Sequence, residues 1–191
     1  MTGPGAGAAS LAGMTLLERA INYTLGSLHL VTPDALARPT PCRDWDLRAL
    51  LTHLDDALQA LTEAVDTGQV ALAAVDGTGE LVATLRGRAR RLLRATAVAR
   101  HPELVTIGGH TLTSVLVAGT GAIEITVHGW DVARACGRTD PVPPALADEL
   151  LDLAPLLVAC TDRPGRFDRP VPVPPGAAPG DRLVAFLGRQ P

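Results

Sequence analysis

The sequence predicts an all-α fold, namely an antiparallel four-helix bundle with an extra helix and a proline-rich C-terminal tail that ends in a short helix. Apolar residues recur at three- and four-residue steps in four long segments, as in amphipathic helices. No segment alternates apolar and polar residues as a half-buried strand would. The chain of 191 residues is 47% hydrophobic, which is enough for one core. Together these observations favour a single helical bundle.

The first three helices follow from periodicity and capping residues. Apolar positions recur from about Thr15 until Pro33, and the Gly- and Ala-rich residues 1–13 before them are expected to form a disordered arm. The second helix begins after Asp46, a good N-cap, and carries the clearest leucine stripe. The third covers residues 80–97, with leucines on one face and five arginines on the other.

The second half of the chain predicts a loop, two helices, the tail and the closing helix. Residues 101–112 contain a proline, β-branched residues and a Gly pair, which together indicate an extended loop. The fourth helix is predicted over residues 113–135 and the fifth over residues 145–160. Residues 163–180 hold too many prolines for a central strand, and residues 181–188 form the closing helix.

The composition is consistent with one folded domain over residues 14–191 and excludes several classes of function. The net charge is −3, and the 17 basic residues, all of them arginine, form no basic stripe, so no nucleic-acid partner is expected. No export signal and no apolar run of about 18 residues occurs, so the protein is expected to be cytoplasmic and not to bind membranes. Three cysteines without a CxxC pair argue against a disulfide framework and a cysteine-built zinc site.

Glu124 and His128 lie four residues apart in an otherwise apolar stretch of the fourth helix. This spacing places both side chains on one helix face, where they could hold one metal ion. Asp131 falls on the same face and could orient the His128 ring. His53, at the edge of the apolar stripe of the second helix, is the best third ligand. Three protein ligands leave a coordination position open, and nitrogen and oxygen ligands suit zinc, nickel, iron and manganese.

Plainer explanations compete with this metal site. A histidine or glutamate in an apolar run is more often part of a hydrogen-bonded structure, although a buried Glu124 would in any case need a partner. His110, before the fourth helix, could line the mouth of the site or be solvated. Cys42 is interpreted as a packing residue rather than a reactive thiol. Trp130, taken to lie on the outer side of the fourth helix, could serve a homodimer together with the tail.

Three segments resemble a known family: RPTPCRDWDLRALLTHL at residues 38–54, EITVHGWDVARA at residues 124–135 and DRLVAFLGRQP at residues 181–191. Together they resemble the DinB-like superfamily of metal-binding four-helix bundles, and in particular the actinobacterial branch related to mycothiol-dependent maleylpyruvate isomerase. The similarity extends from about Leu16 to the end of the chain. The second, C-terminal domain of the isomerase is not expected here, because the tail leaves no room for it.

The resemblance also implies a function. It implies a divalent metal, with zinc favoured, on His53, Glu124 and His128, and a thiol such as mycothiol as co-substrate, because a metal-bound sulfur is deprotonated near neutral pH. The expected enzyme resembles a thiol S-transferase or isomerase and acts on a small molecule in detoxification or specialised metabolism, with water as the other candidate nucleophile. A non-catalytic bundle that binds metal or a small molecule, and a metal-independent biosynthetic enzyme, stay open as alternatives.

Overall fold

The computed structural model describes residues 4–71, 80–98, 101–158 and 167–191, and these are mostly helical. Six α-helices are found in these ranges: α1 Pro4–Leu28, α2 Leu47–Thr67, α3 Leu81–Thr96, α4 Ser114–Ala135, α5 Pro144–Leu157 and α6 Pro179–Phe186. A 3-10 turn at Pro33–Ala37 precedes α2. Three short strands complete the described fold: β1 Gln69–Val70, β2 Leu104–Ile107 and β3 His110–Thr113.

The predicted beginnings of the helices agree with the structure for α2 but not for α1. Asp46 is the N-cap of α2, since its side chain accepts a hydrogen bond of 2.8 Å from the Ala49 amide, as predicted. Gly68 ends the helix with φ of 70°, a left-handed conformation that glycine adopts at low cost. In contrast, α1 begins at Pro4, well before the periodic pattern that begins at about Thr15. The division of the chain at residue 13 stays a prediction.

The first and fourth helices run in the same direction. Gly13 lies against Ala118 near one end of the pair, and Thr24 lies against Gly129 near the other. The Thr24 hydroxyl donates a hydrogen bond of 2.7 Å to the Ile125 carbonyl, which ties the two backbones together. The expected antiparallel order is therefore wrong for α1 and α4. They are far apart in the chain, so no short loop forces them to be antiparallel.

The second and third helices also run in the same direction, and both oppose α4. Arg88 of α3 lies 2.7 Å from Asp55 of α2, and Arg91, further along α3, lies 3.4 Å from Asp66, further along α2. The predicted solvated arginine face therefore includes a partly buried pair with Asp55. In addition, α3 packs against α1, and α2 packs against α4. The four helices thus contact one another in the cyclic order α1, α4, α2, α3.

A small sheet makes the all-α expectation wrong. Strands β2 and β3 pair in antiparallel register around the two-residue turn Gly108–Gly109, and β1 pairs parallel to β2. Both turn glycines have positive φ, as the tight hairpin turns with two left-handed residues require. The segment predicted as an extended loop is therefore a hairpin. Its four-residue strands are too short to show a clear alternation of apolar and polar residues.

The core is built mainly from leucines of α1, α2 and α3, together with isoleucines, valines and alanines of α4. Its largest fully buried side chains include Leu17, Ile21, Leu28, Leu50, Leu51, Leu54, Leu85, Leu92 and Ile125. Trp130 belongs to this core, because it is only 3% exposed and lies beneath the Arg134 guanidinium. The expectation that Trp130 lies on the outer side of the fourth helix is therefore wrong, and the homodimer stays a prediction. Within the described ranges, no helix is both long and apolar enough to cross a membrane.

The C-terminal segment, residues 167–191, packs back onto the helices. It enters as an extended chain, and then α6 packs against α5 with Leu183 and Leu187 fully buried. The proline-rich stretch and the closing helix are confirmed over the described residues. The predicted end of the fifth helix at Cys160 and the beginning of the tail lie outside them.

Candidate metal centre

Helices α2 and α4 bring three potential ligands to one place. His53 comes from α2, while Glu124 and His128 come from successive turns of α4. One nitrogen or oxygen atom from each lies within 4.8 Å of the others. The same carboxylate oxygen, Glu124 Oε1, lies 2.5 Å from His53 Nε2 and 3.1 Å from His128 Nε2. The sequence-predicted group of three is thus a real cluster.

His128 is held by a hydrogen bond on the side away from the cluster. Its Nδ1 lies 3.0 Å from Asp131 Oδ2, and because a carboxylate can only accept, Nδ1 carries the proton. Burial alone would lower the pKa of His128, but the hydrogen bonds with Asp131 and Glu124 outweigh it and raise that pKa to about 9. Asp131 therefore fixes the ring so that Nε2 faces Glu124.

The carboxylate of Glu124 stays charged although it is largely enclosed. Burial alone would raise the pKa of Glu124, but the hydrogen bonds from His128 and His53 hold it well below its usual range. A charged carboxylate between two imidazoles suits a divalent cation, which would replace the protons that the histidines now share with it. The cluster thus offers negative charge where a cation would sit.

The cluster is closed on one side and open on the other. The His128 side chain is 5% exposed, whereas His53 is 38% and Glu124 25% exposed. Trp45, in the loop before α2, forms a wall with its ring centroid 4.8 Å from that of His53 and 6.1 Å from that of His128. Within the described residues, the His53 side is the most exposed part of the cluster, so a small molecule can approach there.

Cys42 lies near enough to the site for the charges of Glu124 and Asp131 to affect its thiol. The loop before α2 folds back on itself, since Pro39 pairs with Asp46 and the Thr40 hydroxyl lies 3.0 Å from the Trp45 carbonyl oxygen. Burial raises the pKa of the Cys42 thiol, and the nearby charges include that of Glu124. A thiol with a raised pKa is a poor nucleophile, in agreement with its interpretation as a packing residue.

Arg189 is the charged neighbour of Asp131. Its Nη2 lies 2.9 Å from Asp131 Oδ2 and its Nε lies 3.3 Å from Asp131 Oδ1, so the two planar groups meet as a fork. Asp131 is fully buried and Arg189 is 4% exposed. This pair compensates the charge of a carboxylate that would otherwise be buried alone.

Sequence reasoning found some of these residues and missed others. Asp131 lies where its helical spacing placed it. His110 does not join the cluster: it begins β3, its side chain is exposed, and it lies before α4, whose first ten residues span about 15 Å. Trp45 and Arg189 were missed as site residues. Their roles depend on a loop and a C-terminal turn, and periodicity describes neither.

The donor set fits a divalent metal. Two imidazole nitrogens and one carboxylate oxygen are ligands for zinc, nickel, iron and manganese, and three protein ligands leave at least one coordination position open. The second ring nitrogen of His128 is hydrogen-bonded to a carboxylate, as in most histidine metal ligands. The described residues thus provide ligands, an oriented ring and an opening to solvent.

Comparisons with known proteins identify the family of the chain. Residues 17–133 match the family described as mycothiol maleylpyruvate isomerase N-terminal domain, and this range contains all three cluster residues. Two proteins of Mycobacterium tuberculosis, Uncharacterized protein MT0763 of strain CDC 1551 and Uncharacterized protein Rv0738 of strain H37Rv, are each 30% identical to the chain. Each similarity covers 90% of this chain and 94% of the relative. No solved structure gives a significant match.

The family match covers more than half of the chain and includes α2 and the part of α4 that carries Glu124 and His128. The chain therefore belongs to the family of the mycothiol maleylpyruvate isomerase N-terminal domain.

Proposed function

We propose that the protein binds one divalent metal ion through His53, Glu124 and His128, and that it is a metal-dependent enzyme with a thiol or water as nucleophile. Zinc is the favoured metal, and a low-molecular-weight thiol such as mycothiol is the favoured co-substrate. The helices α1 to α4 would form the metal-binding four-helix bundle of DinB-like proteins. The reaction would be a transfer or isomerisation on a small electrophile.

One observation carries the proposal: three ligand atoms from two helices converge while Asp131 holds the outer nitrogen of His128. A merely structural cluster would not need a half-exposed His53 beside a carboxylate that stays charged. The family match supports the thiol part, because the family description names mycothiol.

A bound divalent ion would supply Lewis acidity, which lowers the pKa of a coordinated thiol or water to near neutrality. The residues of the chain have the other tasks. Asp131 holds the His128 ring in place, and the Trp45 ring closes one side of the site and excludes water there. His53 lines the open side, where a substrate would enter.

Metal binding is tested on the full chain purified without chelators. We expect about one equivalent of metal, and adding zinc to metal-stripped protein should raise its melting temperature, because the ion binds only the folded site. His53→Ala and His128→Ala should bind the metal much more weakly and show a much smaller rise in melting temperature. His110→Ala is the matched control, since it removes an exposed histidine outside the cluster. A wild type without stoichiometric metal and without a thermal shift would overturn the proposal.

The thiol part has its own test. Metal-loaded protein is mixed with mycothiol and a panel of small electrophiles, and conjugates are counted by mass spectrometry. We expect conjugates above the uncatalysed background with the wild type and none with the His128→Ala variant. A metal-loaded wild type that forms no excess conjugate would favour a non-catalytic metal-binding bundle.

A further inference from the structure

We propose that Arg189, near the C-terminus, is a positioning residue of the metal centre: it holds Asp131, and Asp131 holds the ligand His128. This inference rests on the proposed metal site. It assigns a task to the C-terminal segment, residues 167–191, which contributes none of the three ligands. Arg189 would touch neither metal nor substrate and would act only through Asp131.

The geometry of the pair fixes the carboxylate in one orientation. Asp131 Oδ2 lies 3.0 Å from His128 Nδ1 and 2.9 Å from Arg189 Nη2, while Asp131 Oδ1 faces Arg189 Nε. A single hydrogen bond would let the carboxylate rotate, whereas a two-point contact with a planar guanidinium does not. The His128 ring is therefore set by a carboxylate that is itself held on both oxygens.

Arg189 is in turn held by its own segment. Its amide donates to the Val184 carbonyl at 2.9 Å and its Nη1 donates to the Leu187 carbonyl at 2.9 Å. The preceding Gly188 has φ of 85°, and a Cβ there would lie 2.8 Å from the Asp168 carbonyl oxygen. Only glycine fits this turn without strain. The folding of α6 and its turn therefore determines where the guanidinium points.

A second contact of the same segment provides a control. Arg43, in the loop before α2, lies 3.1 Å from Asp168, and its side chain is 76% exposed. This ion pair joins the segment to the wall of the site without touching Asp131. An exposed pair of this kind contributes little to stability. Removing this ion pair tests whether losing any contact of the C-terminal segment weakens zinc binding, or only losing the contact with Asp131.

The experiment compares zinc affinity, measured by competition with a chromophoric chelator, among full-length variants. We expect Arg189→Met and Asp131→Asn each to bind zinc about 10- to 100-fold more weakly than wild type, the usual effect of losing a partner that orients a metal-binding histidine. The double variant should bind no more weakly than Asp131→Asn alone, because Arg189 acts through Asp131. Arg43→Met should retain wild-type affinity.

Two further readouts separate positioning from general stability. The absorption spectrum of the cobalt-loaded protein reports ligand geometry and should change in Arg189→Met. In metal-free protein, proton NMR should show a protected Nδ1 proton of His128 in the wild type, and this signal should exchange faster in Arg189→Met. Arg189→Lys keeps the positive charge but cannot make the two-point contact with Asp131, so its zinc affinity should lie between those of Arg189→Met and wild type. This variant decides the question if Arg189→Met does not fold.

Two negative results are distinguishable. A wild type that binds no zinc would overturn the proposed function together with this inference. A wild type that binds zinc, with Arg189→Met and Arg189→Lys binding it equally tightly and showing the same cobalt spectrum, would overturn this inference alone.

Discussion

The two ring nitrogens of His128 have different tasks. Nδ1 donates a hydrogen bond to Asp131, so the atom that faces Glu124 is Nε2, the one that a metal would use. Without a metal, a proton on Nε2 is stabilised by Glu124, which is one reason why the pKa of His128 is raised to about 9. Proton and metal therefore compete for the same atom.

This competition predicts opposite effects of pH on the two forms of the protein. A raised pKa means that protonated His128 stabilises the metal-free fold below pH 6.5, its ordinary value, and that this contribution is lost as the pH rises towards about 9. Metal binding must release the proton, so the metal-induced rise in melting temperature should grow over the same range.

The measurement is a series of thermal melts from pH 6 to 9.5, with and without zinc. The His128→Asn variant is the control, because it lacks the titrating ring and should show a smaller loss of stability in the metal-free form. A zinc-induced shift that stays constant across this range would contradict the account.

The site residues that the sequence predicted most directly lie on one helix. Glu124, His128 and Asp131 follow one another on the face of a single helix, so helical geometry alone places them together. His53 required the family resemblance as well, since it lies on another helix. Arg189 could not be found in this way, because 58 residues and a glycine turn separate it from Asp131.

Among the elements, the close contact between α1 and α4 determines how precisely the cluster is held. Gly129 follows His128 directly, and a Cβ at Gly129 would lie 2.3 Å from the Thr24 hydroxyl oxygen and 3.1 Å from the Thr24 Cα. The hydroxyl is already bonded to the Ile125 carbonyl and cannot easily move aside. A larger residue would force the two helices apart.

We therefore expect Gly129→Ala to lower the free energy of unfolding by about 1–3 kcal/mol, the usual cost of overpacking. The matched control is Gly87→Ala in α3, where an added Cβ meets nothing within 4 Å. This change should stabilise the protein by about 0.5–1 kcal/mol through helix propensity. Urea unfolding of both variants checks the prediction, and equal effects at the two positions would contradict the helix contact described.

The helices that the sequence predicted have strong local signals. The Asp46 cap and the leucine stripe of α2 specify that helix without help from the rest of the chain. The hairpin of β2 and β3 was taken as a loop, although the Gly108–Gly109 pair between β-branched residues is a hairpin signal. Helix directions depend on long-range packing, which periodicity does not report.

The site is assembled from three parts of the chain that are far apart in sequence: α2 with the loop before it, α4, and the C-terminal segment. Helices α2 and α4 supply the cluster, the loop before α2 supplies Trp45, and the C-terminal segment supplies Arg189. The family match ends at residue 133, so the last of these parts lies beyond it. The similarity to the mycobacterial relatives covers 90% of this chain, a larger part of it than the family match does.

The central claim is that one divalent ion binds between His53, Glu124 and His128. X-ray absorption spectroscopy of the zinc-loaded full chain tests it most directly, because imidazole ligands give a characteristic scattering pattern. The account predicts one zinc per chain with two imidazole nitrogens and a carboxylate oxygen near 2.0–2.2 Å, and one imidazole fewer in His53→Ala. A zinc site bound mainly by sulfur, or a spectrum that His53→Ala leaves unchanged, would contradict it.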